Sequence, residues 1–250
     1  MVALKLNIAF IAILMLLFSL RTQAQTCGFG CLGLGGFYAG YSIQNYKAQG
    51  FNNFIRQALL NSNQPLPEFG KAKGFRVGAN IFRTKYNNFV FSTKGYYQFL
   101  REQNQMPQPA EGDGGGSTRY TLDLNYYGLG VDFGYSLGKL IAIKFIDAEV
   151  TFHSANLTSD VSTTSSALKE SAYSNDKLAV GYTLGSGVIF RIVGEYISLE
   201  ATAGYTKFSF DSLVNNDENS KPDQVSAINN FITDGGLFGL IQLNVGIPLY

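Results

Sequence analysis

The sequence predicts an all-β chain, an eight-stranded antiparallel up-and-down transmembrane β-barrel, and three observations carry that prediction. Eight segments alternate apolar and polar residues with period two, the mark of strands that bury one face in an apolar medium. The connections between these segments are alternately long and short. The polar faces are rich in Gly, Ser, Thr, Asn and Gln, with too few charges to build eight water-facing surfaces, so the apolar faces point outward to lipid. A soluble lipocalin-like barrel, with an apolar cavity and a charged exterior, is the arrangement this pattern disfavours. Composition agrees: 35 aromatics beside 28 glycines favour strands and tight turns over a helical bundle.

The first 25 residues read as a signal peptide, with Lys5 ahead of an apolar run from Leu6 to Leu20 and small residues before a cut after Ala24 or Gln25. The run is short for an uncleaved membrane anchor. Removal of Lys5 and Arg21 leaves 17 basic against 18 acidic residues, a balance that offers no surplus to attract nucleic acid. Residues 26–34 form a short periplasmic segment, and residues 35–250 the barrel domain. In the former, Cys27 and Cys31 make either a disulfide or a pair of idle thiols. Gly28 to Gly33 matches GxGxxG, yet no strand precedes it and no helix follows, so it is a coincidence.

The first segment sets Phe37, Ala39, Tyr41 and Ile43 on one face, and the second sets Phe75, Val77, Ala79 and Ile81 against Arg76, Gly78 and Asn80. In the third, Phe89, Phe91, Thr93, Tyr97 and Phe99 oppose Ser92, Lys94 and Gln98. The fourth changes phase between Tyr126 and Leu129, which predicts a β-bulge near Tyr126 and Tyr127. The fifth aligns Leu140, Ala142, Ile146, Ala148, Val150 and Phe152, an apolar face interrupted by Lys144 near a turn, where its stem would snorkel to the interface. The sixth runs Leu178 to Ile192, the seventh Ile197 to Tyr205 and the eighth Leu237 to Leu249. Long polar connections are expected at 47–73, 103–117, 156–176 and 211–234, on the side away from both termini. The first holds Phe51, Phe54, Ile55 and Leu59 at helical spacing, ended by Pro65 and Pro67, which predicts a short helix packed on the barrel rim.

The signal peptide, the eight alternating segments and the aromatic last residue resemble the small OmpA/OmpX-type outer-membrane barrels. The cleavage region around TQAQ and the stretch YTLDLNYYGLGVDFGYSLG are similar to porin-family or PorT-like barrel proteins of Bacteroidota. One departure is that Tyr250 is out of phase with the lipid-facing Val245, Ile247 and Leu249. The resemblance implies location in the cell outer membrane, contact with its lipid, and a non-enzymatic role, structural or as a binder of an extracellular ligand or envelope protein through the loops. A narrow gated pore, an accessory part in protein secretion and a lipid A-modifying enzyme are the alternatives.

Chemistry-bearing residues are few. His153 is the sole histidine, and barrel deacylases resemble His-x-Ser, whereas Ala155 stands at that position here and Ser154 points to the opposite face. Ser166 to Lys169 matches SxxK without its companion motifs. No metal-ligand cluster and no cofactor motif is present. The inward charges are more informative: Lys94, Asp132 and Asp147 fall at similar depth on adjacent strands, Glu149 follows on the same face, and Arg191 and Glu200 face each other across the sixth and seventh segments. Such groups must pair or meet water, as a plug in a narrow lumen or as a gate that exchanges partners.

Overall fold

The computed structural model describes residues 35–58, 68–108, 116–163, 166–175, 177–194, 196–215 and 227–246. The signal-peptide reading, the Cys27–Cys31 pair and the register of Tyr250 lie outside these. The eight alternating segments form eight antiparallel wall strands: β1 (Gly36–Asn45), β2 (Lys71–Tyr86), β3 (Phe89–Gln108), β4 (Gly116–Ser136), β5 (Ile141–Thr163), β7 (Ala179–Val193), β8 (Ile197–Lys207) and β11 (Gly236–Val245). Each pairs with the next, and β11 returns to β1 with Tyr41 opposite Ile241, so the barrel is closed.

Side-chain direction follows the predicted faces over most of this wall. Phe37, Tyr41, Phe75, Val77, Phe91, Leu129, Val150, Leu184, Ile241 and Leu243 are all exposed on its outside. Aromatics gather at two levels. Phe89 meets Tyr135 at 5.1 Å near the short turns, while Tyr97 meets Tyr127 at 4.5 Å and Tyr41 meets Phe75 at 5.5 Å toward the long loops. From Phe89 to Phe99 is ten residues along β3. At ~3.3 Å per residue and a tilt of ~40° this gives a height of ~25 Å, the thickness of an outer-membrane apolar band. The even strand count, the two aromatic girdles and the short turns on the side of the termini place the protein in an outer membrane. Ala201→Arg, on the outward face in the middle of β8, should therefore cost ~2 to 4 kcal/mol in vesicle-based urea unfolding, while Asn244→Arg, half-buried beside Glu200 in the lumen, should cost little. Equal costs would overturn the assignment of the two faces.

Two expectations about phase are corrected. β4 runs without a bulge at Tyr126 and Tyr127: its register with β3 is continuous from Tyr135 opposite Phe89 to Gly116 opposite Gln108. Leu122, Leu124 and Tyr126 point into the barrel, and Tyr127, Leu129 and Val131 point out. The apolar residues change sides because the interior itself turns from polar to apolar along this strand. An irregularity is found instead in β5, where Phe145 and Ile146 both face outward and the register with β4 and β7 shifts. That bulge turns Lys144 inward, where it is 2% exposed, so it does not snorkel.

Among the described residues, the long connections include extensions of the wall and further strands, where polar loops were expected. β3 and β4 continue together to Gln108 and Gly116, and β5 leaves β7 at His153 to pair with β6 (Ser166–Ser174) from Asn156 upward. β6 meets β9 (Phe210–Asn215), which pairs with β10 (Ala227–Ile232). The predicted helix is present as α1 (Gln49–Ala58), packed along β10 and shielding an edge that would otherwise invite pairing. These elements form an outer storey above the membrane storey. Its interior is a hydrophobic core of the soluble kind, including Phe51, Ile55, Phe69, Leu122, Leu157, Leu213, Phe231 and Ile232, none more than 3% exposed.

Candidate functional site

The lumen is read from the short turns upward. Small and polar side chains come first: Ser92, Ser198 and Asn244 surround a cavity of about 40 Å³ that reaches Asp132, Lys144 and Glu200. It is large enough for a few waters. Above it lies the charge cluster. Lys94 Nζ sits 3.0 Å from Asp132, 2.6 Å from Asp147 and 2.8 Å from Glu149. Lys144 Nζ lies 3.3 Å from both Asp132 and Asp147 and pairs closely with Glu200. Arg76 donates to Glu149 at 3.0 Å and to Gln98 at 2.6 Å, and its guanidinium lies 3.8 Å above the Tyr96 ring, whose hydroxyl donates to Glu149.

Three cations thus interlock with four carboxylates. Near-neutrality and multiple hydrogen bonds per group are what make such burial tolerable, since each ion would otherwise pay several kcal/mol of desolvation. Lys94, Asp132 and Asp147, set at similar depth by the sequence, lie together, and Glu149 and Glu200 join them. The expected facing of Arg191 and Glu200 is corrected: Glu200 takes Lys144 and accepts from Thr202 at 3.0 Å, while Arg191 stands opposite Ser198 and donates to the Gly138 carbonyl at 2.9 Å, near the turn. Arg76 and Lys144 are the members that sequence reasoning did not place in the network. Arg76 was legible on the polar face of its segment, whereas Lys144 was hidden by the bulge beside it.

Aromatic rings close the cluster from above. Tyr96 stands over Gly128 of the facing strand and Tyr38 over Gly78, positions where any side chain would occupy the ring's place. Gly128→Val should therefore expel Tyr96, strip Glu149 of one donor and lower stability by ~1 to 3 kcal/mol in urea unfolding; an unchanged midpoint would show that the ring has room elsewhere. Next come Tyr126, His153 and Phe208, with His153 sandwiched at 4.4 Å and 4.3 Å between the other two. His153 is 2% exposed and its Nε2 lies 2.8 Å from Thr151 Oγ1, while the Ser154 hydroxyl donates to the Asn125 carbonyl on the other face. Among the described residues no group of three His, Cys, Asp or Glu is arranged to hold a metal ion.

The storeys are fastened at their junction. Glu102 accepts from the Tyr46 hydroxyl at 2.6 Å and the Lys71 amide at 2.7 Å, tying the chain around α1 to β3. Burial, then the adjacent Glu102 carboxylate, holds the Tyr46 hydroxyl well above its ordinary pKa, so it remains a donor at any physiological pH.

No protein-family model and no curated protein matches the chain. Solved structures resemble it in form. The attachment invasion locus protein Ail of Yersinia pestis is 13% identical, covering 86% of this chain and 97% of its own, with a TM-score of 0.39. Neisserial surface protein A is 14% identical over 85% and 98%, with a TM-score of 0.42. The outer membrane protease OmpT of Escherichia coli is 8% identical over 86% and 94%, with a TM-score of 0.41. At these levels of likeness nothing about activity or ligands passes from those proteins to this one.

Proposed function

We propose that this barrel is a non-enzymatic, non-conducting outer-membrane protein whose extended loops form a fixed binding platform for an extracellular ligand or envelope protein. The observation that carries this reading is the folding of the loops around their own hydrophobic core, from Phe51 to Phe231, directly above the ionic cluster. A pore has no use for two stacked seals, and a platform gains from rigidity because fewer side chains must be ordered on binding. The burial of His153 between two rings supports the absence of an enzyme site. Export by a cleaved signal peptide completes the proposal. Resemblance to PorT-like barrels of Bacteroidota adds an accessory part in protein secretion as a second reading, and the closed lumen favours a docking component over a conduit within it. Single-channel recording of the refolded protein tests the proposal: silence across physiological voltages is expected, and steady ohmic conductance would replace the platform by a pore.

A further inference from the structure

We propose that the groove between α1 and β10, on the extracellular face, binds a neutral oligosaccharide; this rests on the platform reading and gives it a ligand class. The groove is open to solvent and has a volume of about 410 Å³, within the range of small-ligand sites. Gln49, Asn53 and Gln57 recur every fourth residue of α1 and so line one side, and Asn229 and Asn230 of β10 line the other. All five are exposed, and among the described residues none of their side-chain amides is engaged in a hydrogen bond. An amide offers a donor and an acceptor side by side, which matches paired sugar hydroxyls, and five of them converge on one cleft from two elements.

Phe54 supplies the apolar element. Its ring is half-buried against the outer core and stacked near Phe51 at 6.5 Å, so one part is held while the rest lines the groove, as a platform for the C–H face of a pyranose. The walls are rigid. Gly50 lies so close to the Asn229 and Asn230 carbonyls that no side chain fits there, and the Asn52 amide both donates to and accepts from the Phe69 backbone at 2.9 Å. The groove contains no charge, and the charges flanking it are paired with one another, Lys47 with Asp234 and Arg56 with Glu68. Uncharged, amide-rich and aromatic on one side, it suits a neutral saccharide and offers nothing to a phosphate or sulfate.

The test uses the refolded full chain in detergent micelles, with dextran-, mannan- and chitin-derived hexasaccharides as neutral probes and a heparin-derived hexasaccharide as the anionic one. Binding is read by saturation-transfer NMR and calorimetry. At least one neutral probe is expected to bind, and Asn53→Ala and Asn229→Ala, both exposed and outside the core, should each weaken it at least about tenfold. Equal affinity in both variants, binding of the heparin probe alone, or no binding up to about 10 mM would each overturn the proposal. Conductance tests the platform and saccharide binding tests the groove, so the two can fail separately.

Discussion

Lys94→Met is expected to cost about 3 to 5 kcal/mol of stability and still leave the barrel electrically silent. Lys94 touches three carboxylates at once, with a side chain 3% exposed. Its removal leaves Arg76 and Lys144 to face Asp132, Asp147, Glu149 and Glu200, and the uncompensated charge in a confined space must draw in water or take up a proton. Urea unfolding in lipid vesicles measures the loss. Adding Asp147→Asn should recover much of it, since the second change removes the stranded partner. Silence in planar bilayers follows from what lies above the cluster: the rings of Tyr126, His153 and Phe208 and then the outer core close the lumen without ionic help. Conductance in Lys94→Met would identify the ionic cluster as the gate and the outer core as permeable. Wild-type stability in Lys94→Met would mean that the cluster is already hydrated and that its pairs contribute little.

Phe51→Ala should have an effect of similar size in a different place. The Phe51 side chain is fully buried, with its ring 4.7 Å from Phe69, 5.1 Å from Phe231 and 5.8 Å from Tyr120. It therefore joins α1, the chain before β2, β4 and β10 in one contact. Truncation of a buried phenylalanine removes its burial and leaves a cavity, together ~3 to 5 kcal/mol. The loss falls on the outer storey, because the backbone pairing of the eight wall strands closes the membrane storey without this ring. Proteolysis should then cut the regions around 47–70 and 211–234 many times faster than in wild type, while the membrane-embedded strands persist as a protected fragment. Loss of the whole barrel on the same time scale would show the storeys to be one cooperative unit.

All eight wall strands, the side on which the long connections lie, and α1 were legible in the sequence. Each depends on local information: period-two alternation marks a strand with unlike faces, and helical spacing with two following prolines marks a rim helix. The membrane-level charge cluster was legible in part, because Lys94, Asp132 and Asp147 sit on polar faces at depths that can be counted from the turns. Three features were decided only by tertiary structure. Alternation reports that two faces differ and not which one is inside, so where the interior of β4 passes from the polar lumen to an apolar core, the pattern inverts as a bulge would make it do. The real bulge, at Phe145 and Ile146, shows in the sequence only as the interruption of an apolar face by Lys144, which an interfacial lysine explains equally well, and it alone brings Lys144 to Glu200. The strands β6, β9 and β10 carry weak patterns of their own, and they are held by pairing with one another and by a core assembled from α1, β4, β5 and β10. A strand whose apolar face exists only once distant segments have met cannot be read from its own residues, because the burial that stabilises it is a property of the assembled storey.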